Sequence, residues 1–79
     1  MQMNIEYTDT FAGEANYSWV RRATIDVPEH ASDYLVVRRA KAALGLTDTR
    51  FRKVSHNPDC IELREVGACC VLFITADYV

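Results

Sequence analysis

The sequence predicts an α+β fold. It reads as a single domain over residues 1–79, with an antiparallel sheet of about five strands in the order ββαβββ and one helix packed on one face. Three observations point there. Apolar residues recur with a period of two in the first segment, one central stretch switches to a helical period, and glycine, proline and asparagine punctuate the junctions. A chain this short buries only ~60% of its unfolded surface. Association with a partner, or with a second copy as a homodimer, is therefore expected to supplement a small core.

In QMNIEYT, Met3, Ile5 and Tyr7 alternate with Gln2, Asn4, Glu6 and Thr8, the pattern of a half-buried strand with its odd face inward. DTFAGEA follows as a loop of about seven residues with Gly13 as its turn residue. A second strand then runs through ANYSWVRRAT and TIDV to Pro28. Ser32 is a predicted N-cap, and Asp33 brings negative charge to the positive end of the helix dipole. Val36, Val37, Ala40, Ala43 and Leu44 then share one side at helical spacing, while Tyr34, Arg38, Lys41 and Ala42 face the other way. Gly45-Leu46 has the composition of a left-handed glycine stop, so the helix is expected over 33–44. RFRKVSH, CIELREV and CCVLFIT supply three more strands, with turns at Asn57-Pro58-Asp59 and at Gly67.

Composition excludes several classes. Hydrophobic residues make up 49% and charged residues 25%, the balance of a folded domain rather than a disordered chain. The longest apolar run, ACCVLFI, is seven residues, far short of the ~20 that span a bilayer as a helix. An odd set of cysteines (Cys60, Cys69 and Cys70) and the absence of a hydrophobic leader predict reduced thiols in a cytoplasm. Net charge is −2, but the nine cations all fall between Arg21 and Arg64. Residues 1–20 hold only Glu6, Asp9 and Glu14. Bare nucleic-acid binding usually requires a more basic domain.

No constellation predicts catalysis, so the expectation is a protein that is not an enzyme and has no cofactor and no metal. His56, Asp59 and Cys60 are close in sequence, but a polar turn accounts for them, and adjacency is not the spatial triad that activates a thiol. His56, Cys60, Cys69 and Cys70 lack the paired spacing of structural zinc ligands, and neighbouring strand cysteines point to opposite faces. Cys69 and Cys70 read instead as small apolar residues of a central strand. The glycines fall at turns or caps rather than in a phosphate loop, and the carboxylates are scattered singly. Arg38, Lys41, Arg50, Arg52 and Lys53 either form a cationic ridge or are an ordinary solvated helix face and strand edge. The second reading is the simpler.

The second strand poses a register problem. Counting by twos from Val27 gives Ile25, Ala23, Arg21, Trp19 and Tyr17 on one face, which sets an arginine in a buried row. Either Arg21 lies over an edge with its stem packed and its head in water, or a β-bulge near Arg21 and Arg22 shifts the register. The bulge would turn Tyr17 and Trp19 away from the helix. CCVLFI is apolar on both parities, so the sheet's second face needs shelter from aromatic side chains or from another molecule. The expectation is that Tyr17 and Trp19, with Arg22 at the margin, form a protein-contact surface on the helix-free face.

Over its whole length the chain resembles small phage and prophage proteins, the likeness being carried by TDTFAGEANYSWVRR, VVRRAKAALGL and IELREVGACCVLFI. More narrowly, it is similar to anti-CRISPR proteins that act on type I-C systems. That resemblance implies a non-enzymatic inhibitor in the cytoplasm of the bacterial host, one that binds subunits of the type I-C CRISPR surveillance complex and prevents it from engaging target DNA. Two mechanisms stay open: Glu6, Asp9 and Glu14 as mimics of DNA charge, or the aromatic and basic face as a steric block. The alternative is a small phage accessory protein that binds nucleic acid through Arg38, Lys41, Arg50, Arg52 and Lys53.

Overall fold

A computed structural model describes residues 1–57 and 60–76, with the side chains of residues 55–57 outside that description. Its elements are β1 (Gln2–Phe11), β2 (Glu14–Asp26), α1 (Asp33–Ala43), β3 (Phe51–Asn57), β4 (Cys60–Glu65) and β5 (Cys70–Ala76). The strands form one antiparallel sheet in the order β2-β1-β5-β4-β3. The first and last strands are neighbours at its centre. The chain passes from the β2 edge to the β3 edge through α1, which lies across one face. The predicted fold class and element order are those observed. The turn predicted through Pro58 and Asp59, and the grouping of His56 with Asp59, fall outside the described residues.

The helix ends are set by local chemistry. Ser32 is the N-cap, its Oγ accepting from the Leu35 main-chain N–H at 3.2 Å. At the other end Gly45 takes φ 71°, its N–H reaches the Ala42 carbonyl, and the Leu46 N–H reaches that of Lys41. These two bonds make the paired closure that a left-handed glycine permits. Val36, Ala40 and Leu44, four residues apart, are buried against the sheet, whereas Ala43 is exposed and Val37 half-buried.

The core lies between α1 and the sheet. Met3, Ile5 and Tyr7 of β1, Ile25 of β2, Ile61 and Leu63 of β4, and Leu72 and Ile74 of β5 pack under the helix. Strand register explains the set, because Met3 pairs with Ile25, Ile5 and Ile61 both pair with Ile74, and Tyr7 and Leu63 both pair with Leu72. Alternation then carries Ala23 and Arg21 of β2 to the same side. Arg21 is exposed, but its Nη2 donates to the Leu44 carbonyl at 2.7 Å.

Three expectations need correction. The first hairpin has no seven-residue loop: β1 continues to Phe11, and Ala12 and Gly13, both at positive φ, close a two-residue turn. Positive φ at both turn positions matches the twist of the flanking strands. The bulge in β2 is not at Arg21 and Arg22 but nearer the turn. Thr8 pairs with Val20 and Thr10 with Ala15, so Asp9 faces the four residues Asn16 to Trp19. Finally, Cys69 lies outside the last strand and is exposed, with its carbonyl accepting from Thr10.

Candidate docking face

The bulge divides the two aromatics of ANYSWVRRAT between opposite faces. Trp19 stays on the helix side, where its ring meets Tyr7 edge-on with centroids 5.1 Å apart. Tyr7 touches Phe51 in the same manner at 6.2 Å, and the Lys41 ammonium lies 5.9 Å from the Phe51 centroid. The expectation that Trp19 points away from the helix is therefore overturned. Its physical reason is that the count by twos holds from Ile25 down to Trp19, since pairing with β1 is regular from Asp26 to Val20. Beneath this trio the Tyr7 hydroxyl donates to the Glu65 carboxylate. Burial, then Glu65 and Cys70, push the Tyr7 pKa well above the usual phenol range.

Tyr17 goes the other way because its backbone is left-handed, at φ 56°. A tyrosine in that region costs on the order of 1–2 kcal/mol, so the surroundings must hold it there. They do so through two buttresses. Thr8, fully buried, accepts from the Tyr17 N–H at 3.1 Å and donates to the Trp19 carbonyl at 2.8 Å. Asp9 accepts from the Ser18 N–H and the Asn16 side chain, each at 3.0 Å, and from the Ser18 hydroxyl at 2.5 Å. Those bonds, Ser18 first and Asn16 next, hold its carboxyl at about 2, below the ordinary 3.8.

On the helix-free face the register aligns Arg22, Glu6, Phe73 and Glu62 in one row across β2, β1, β5 and β4. Arg22 Nε meets Glu6 Oε2 at 3.1 Å, and the other Glu6 oxygen accepts from the Tyr17 hydroxyl. That bond, ahead of desolvation, raises the Tyr17 pKa. Further along the row Arg64 and Glu62 pair at 3.1 Å. Asn4, Glu6, Tyr17, Arg22, Phe73 and Thr75 line an open concavity of about 520 Å³. Its charged groups are ion-paired, and of its two aromatic side chains Tyr17 is 48% exposed and Phe73 half-buried. Asn4, Phe73 and Thr75 are not among the expected contact residues. The signal for Phe73 was the double apolar parity of the last strand, and Val71, its neighbour on this face, is indeed fully buried.

The expected acidic group does not form one patch. Glu6 is neutralised by Arg22, Asp9 is consumed by the bulge, and Glu14 lies exposed at the start of β2 beside the tight turn. The basic ridge is split as well. Arg38 and Lys41 share a concavity of about 370 Å³ with Tyr34, Val37 and Thr47 on the outer side of α1. Lys53 pairs with Asp33 at 3.1 Å. Alternation along β3 turns Arg52 to the face opposite Phe51 and Lys53, and Arg50 precedes the strand, its carbonyl holding the Val66 N–H. Lys41, in the last turn, also complements the negative end of the helix dipole.

Among the described residues no three His, Cys, Asp or Glu side chains are grouped so as to hold a metal ion. No helix among them is long and apolar enough to cross a membrane. Burial, then Glu62, raise the Cys60 pKa, which disfavours its thiolate. In comparisons with known proteins the chain matches no family, no curated protein and no solved structure.

Proposed function

We propose that this chain is a non-enzymatic phage inhibitor that acts by docking its helix-free face on a protein partner, the type I-C CRISPR surveillance complex of the bacterial host, so that target DNA is not engaged. The observation that carries the docking part is Tyr17. An exposed aromatic is held at a costly backbone angle by two buried or charged buttresses, beside Arg22 and over an ion-paired concavity. Strain of this kind collects at active sites, ligand clamps and switch regions. The choice of partner rests on the resemblance of the sequence to anti-CRISPR proteins. Of the two mechanisms, steric block is favoured over DNA mimicry, because Glu6 and Asp9 are already engaged within the protein.

The test is a plasmid-interference assay in cells carrying a type I-C system, paired with capture of the purified complex. Expression of the chain is expected to restore plasmid transformation, and the chain is expected to capture the complex in a one-to-one fashion. Both effects should be lost in Tyr17→Ala/Arg22→Ala with the fold intact. Unchanged interference in the presence of well-expressed chain would refute the reading.

The alternative is a nucleic-acid-binding accessory protein. Its specific support is the concavity that Tyr34, Arg38 and Lys41 share on the outer helix surface. A salt-dependent mobility shift of labelled duplex, reduced in Arg38→Ala/Lys41→Ala, would favour it over docking.

A further inference from the structure

The Glu6–Arg22 pair leaves part of the arginine unused. The contact to Glu6 is made by Nε, and among the described residues the two terminal Nη groups take no partner. Arg22 is 65% exposed, yet its guanidinium is not a freely swinging charge. Nε is tied to Glu6, and Glu6 is itself fixed by the Tyr17 hydroxyl. A guanidinium held through Nε still offers one N–H from each Nη along its terminal edge, the fork that matches a carboxylate with two parallel bonds. Arg22 itself borders the concavity that Tyr17 and Phe73 also line.

We propose that the Arg22 terminal edge is the receptor for one acidic side chain of a protein partner, with an apolar partner side chain covering Phe73. This deepens the docking reading and rests on it. The charge pattern selects the occupant. A nucleic-acid backbone brings a run of like charges, and this face offers it no net positive charge, since Arg22 and Arg64 are each balanced by Glu6 and Glu62. A protein segment with a single acid and a nearby apolar residue suits the row, the acid at the outer Arg22 edge and the apolar side chain over Phe73, with Glu6 between them already engaged by Arg22 and Tyr17. Preorganisation of Arg22 by Glu6 and Tyr17 lowers the ordering cost of forming that bidentate contact.

The experiment is a chemical-shift titration of the full-length ¹⁵N-labelled chain with three probes. They are the blocked dipeptide N-acetyl-Glu-Phe amide, its N-acetyl-Gln-Phe counterpart and a ten-residue oligothymidylate. The Glu peptide is expected to move the Arg22 Nε–H and the Glu6 and Tyr17 amides, at least tenfold more tightly than the Gln peptide. Arg22→Lys, which keeps the charge but loses the fork, should weaken it at least fivefold with the spectrum otherwise intact, and Arg22→Gln should abolish it. Equal response to both peptides, no response, stronger response to the oligonucleotide, or concentration-dependent shifts of the same amides without any probe would each overturn the proposal. The last of these would assign the face to a second copy. Capture of the surveillance complex separates the two levels: loss in Tyr17→Ala with retention in Arg22→Gln removes the carboxylate receptor and keeps the docking face. Retention in both removes the face.

Discussion

Arg21 of β2 donates through Nη2 to the main-chain oxygen of Leu44 at 2.7 Å, so an arginine from the sheet closes the C-terminal end of the helix. Helix carbonyls in the last turn lack intrahelical donors and carry the negative end of the dipole, and a guanidinium satisfies both needs. The bond also ties α1 to the β2 edge.

Replacing Arg21 with Ala is expected to destabilise the domain by about 1 kcal/mol. For a domain of this size that lowers Tm by ~4–8 °C. Arg21→Lys should recover part of the loss, because the charge remains while the reach and the fork change. Thermal unfolding followed by circular dichroism measures both. Equal stability of Arg21→Ala and the unaltered chain would show that the cap contributes nothing.

Trp19 and Tyr17, two residues apart, are expected to behave oppositely. Trp19→Ala strips an edge-on ring from Tyr7 and should cost about 1–2 kcal/mol in urea unfolding. Tyr17→Gly removes an exposed ring and relieves a left-handed backbone, so it should be neutral or stabilising by up to ~1 kcal/mol while abolishing capture of the partner. A Trp19 variant that loses binding at unchanged stability, paired with a silent Tyr17 variant, would reverse the assignment of the two faces.

The bulge should open in acid. Asp9 titrates at about 2 in the folded chain and ordinarily at 3.8, so folding depresses its pKa. The unfolded chain then binds the proton more readily, and the stabilisation from Asp9 is complete above roughly pH 4 and lost as pH falls through about 2. Amide signals of Tyr17 and Ser18 should hold steady from pH 7 to 5 and shift between 4 and 2. In Asp9→Asn that acid-dependent step should vanish.

Leu72, at the centre of the sheet and fully buried, tests the size of the core. Leu72→Ala is expected to cost ~2–5 kcal/mol. Total stability of a small domain is on the order of 5 kcal/mol, so the variant should be largely unfolded at 37 °C, with amide dispersion lost. A cooperative transition with Tm within a few degrees of the unaltered chain would mean the core is larger or better buttressed than its burial pattern indicates.

Element order, the helix limits and the odd-numbered inner face of β1 are legible in the amino-acid sequence. Each rests on short-range chemistry: the Ser32 cap, the Gly45 stop, and the alternation of Met3, Ile5 and Tyr7, all fixed within a few residues. The sequence also showed that Arg21 falls in an apolar row, but it could not say how, because the Leu44 carbonyl that receives the guanidinium is 23 residues away. The position of the bulge was likewise out of reach. It depends on whether Asp9 and Thr8 can hold Asn16 to Ser18 across the hairpin, which is a property of two strands in register and not of either alone. Three-dimensional packing therefore settled that Trp19 lies on the helix side of the sheet and Tyr17 on the helix-free face. It also decided that Glu6, read as one of three free acids, is the group that orients Arg22.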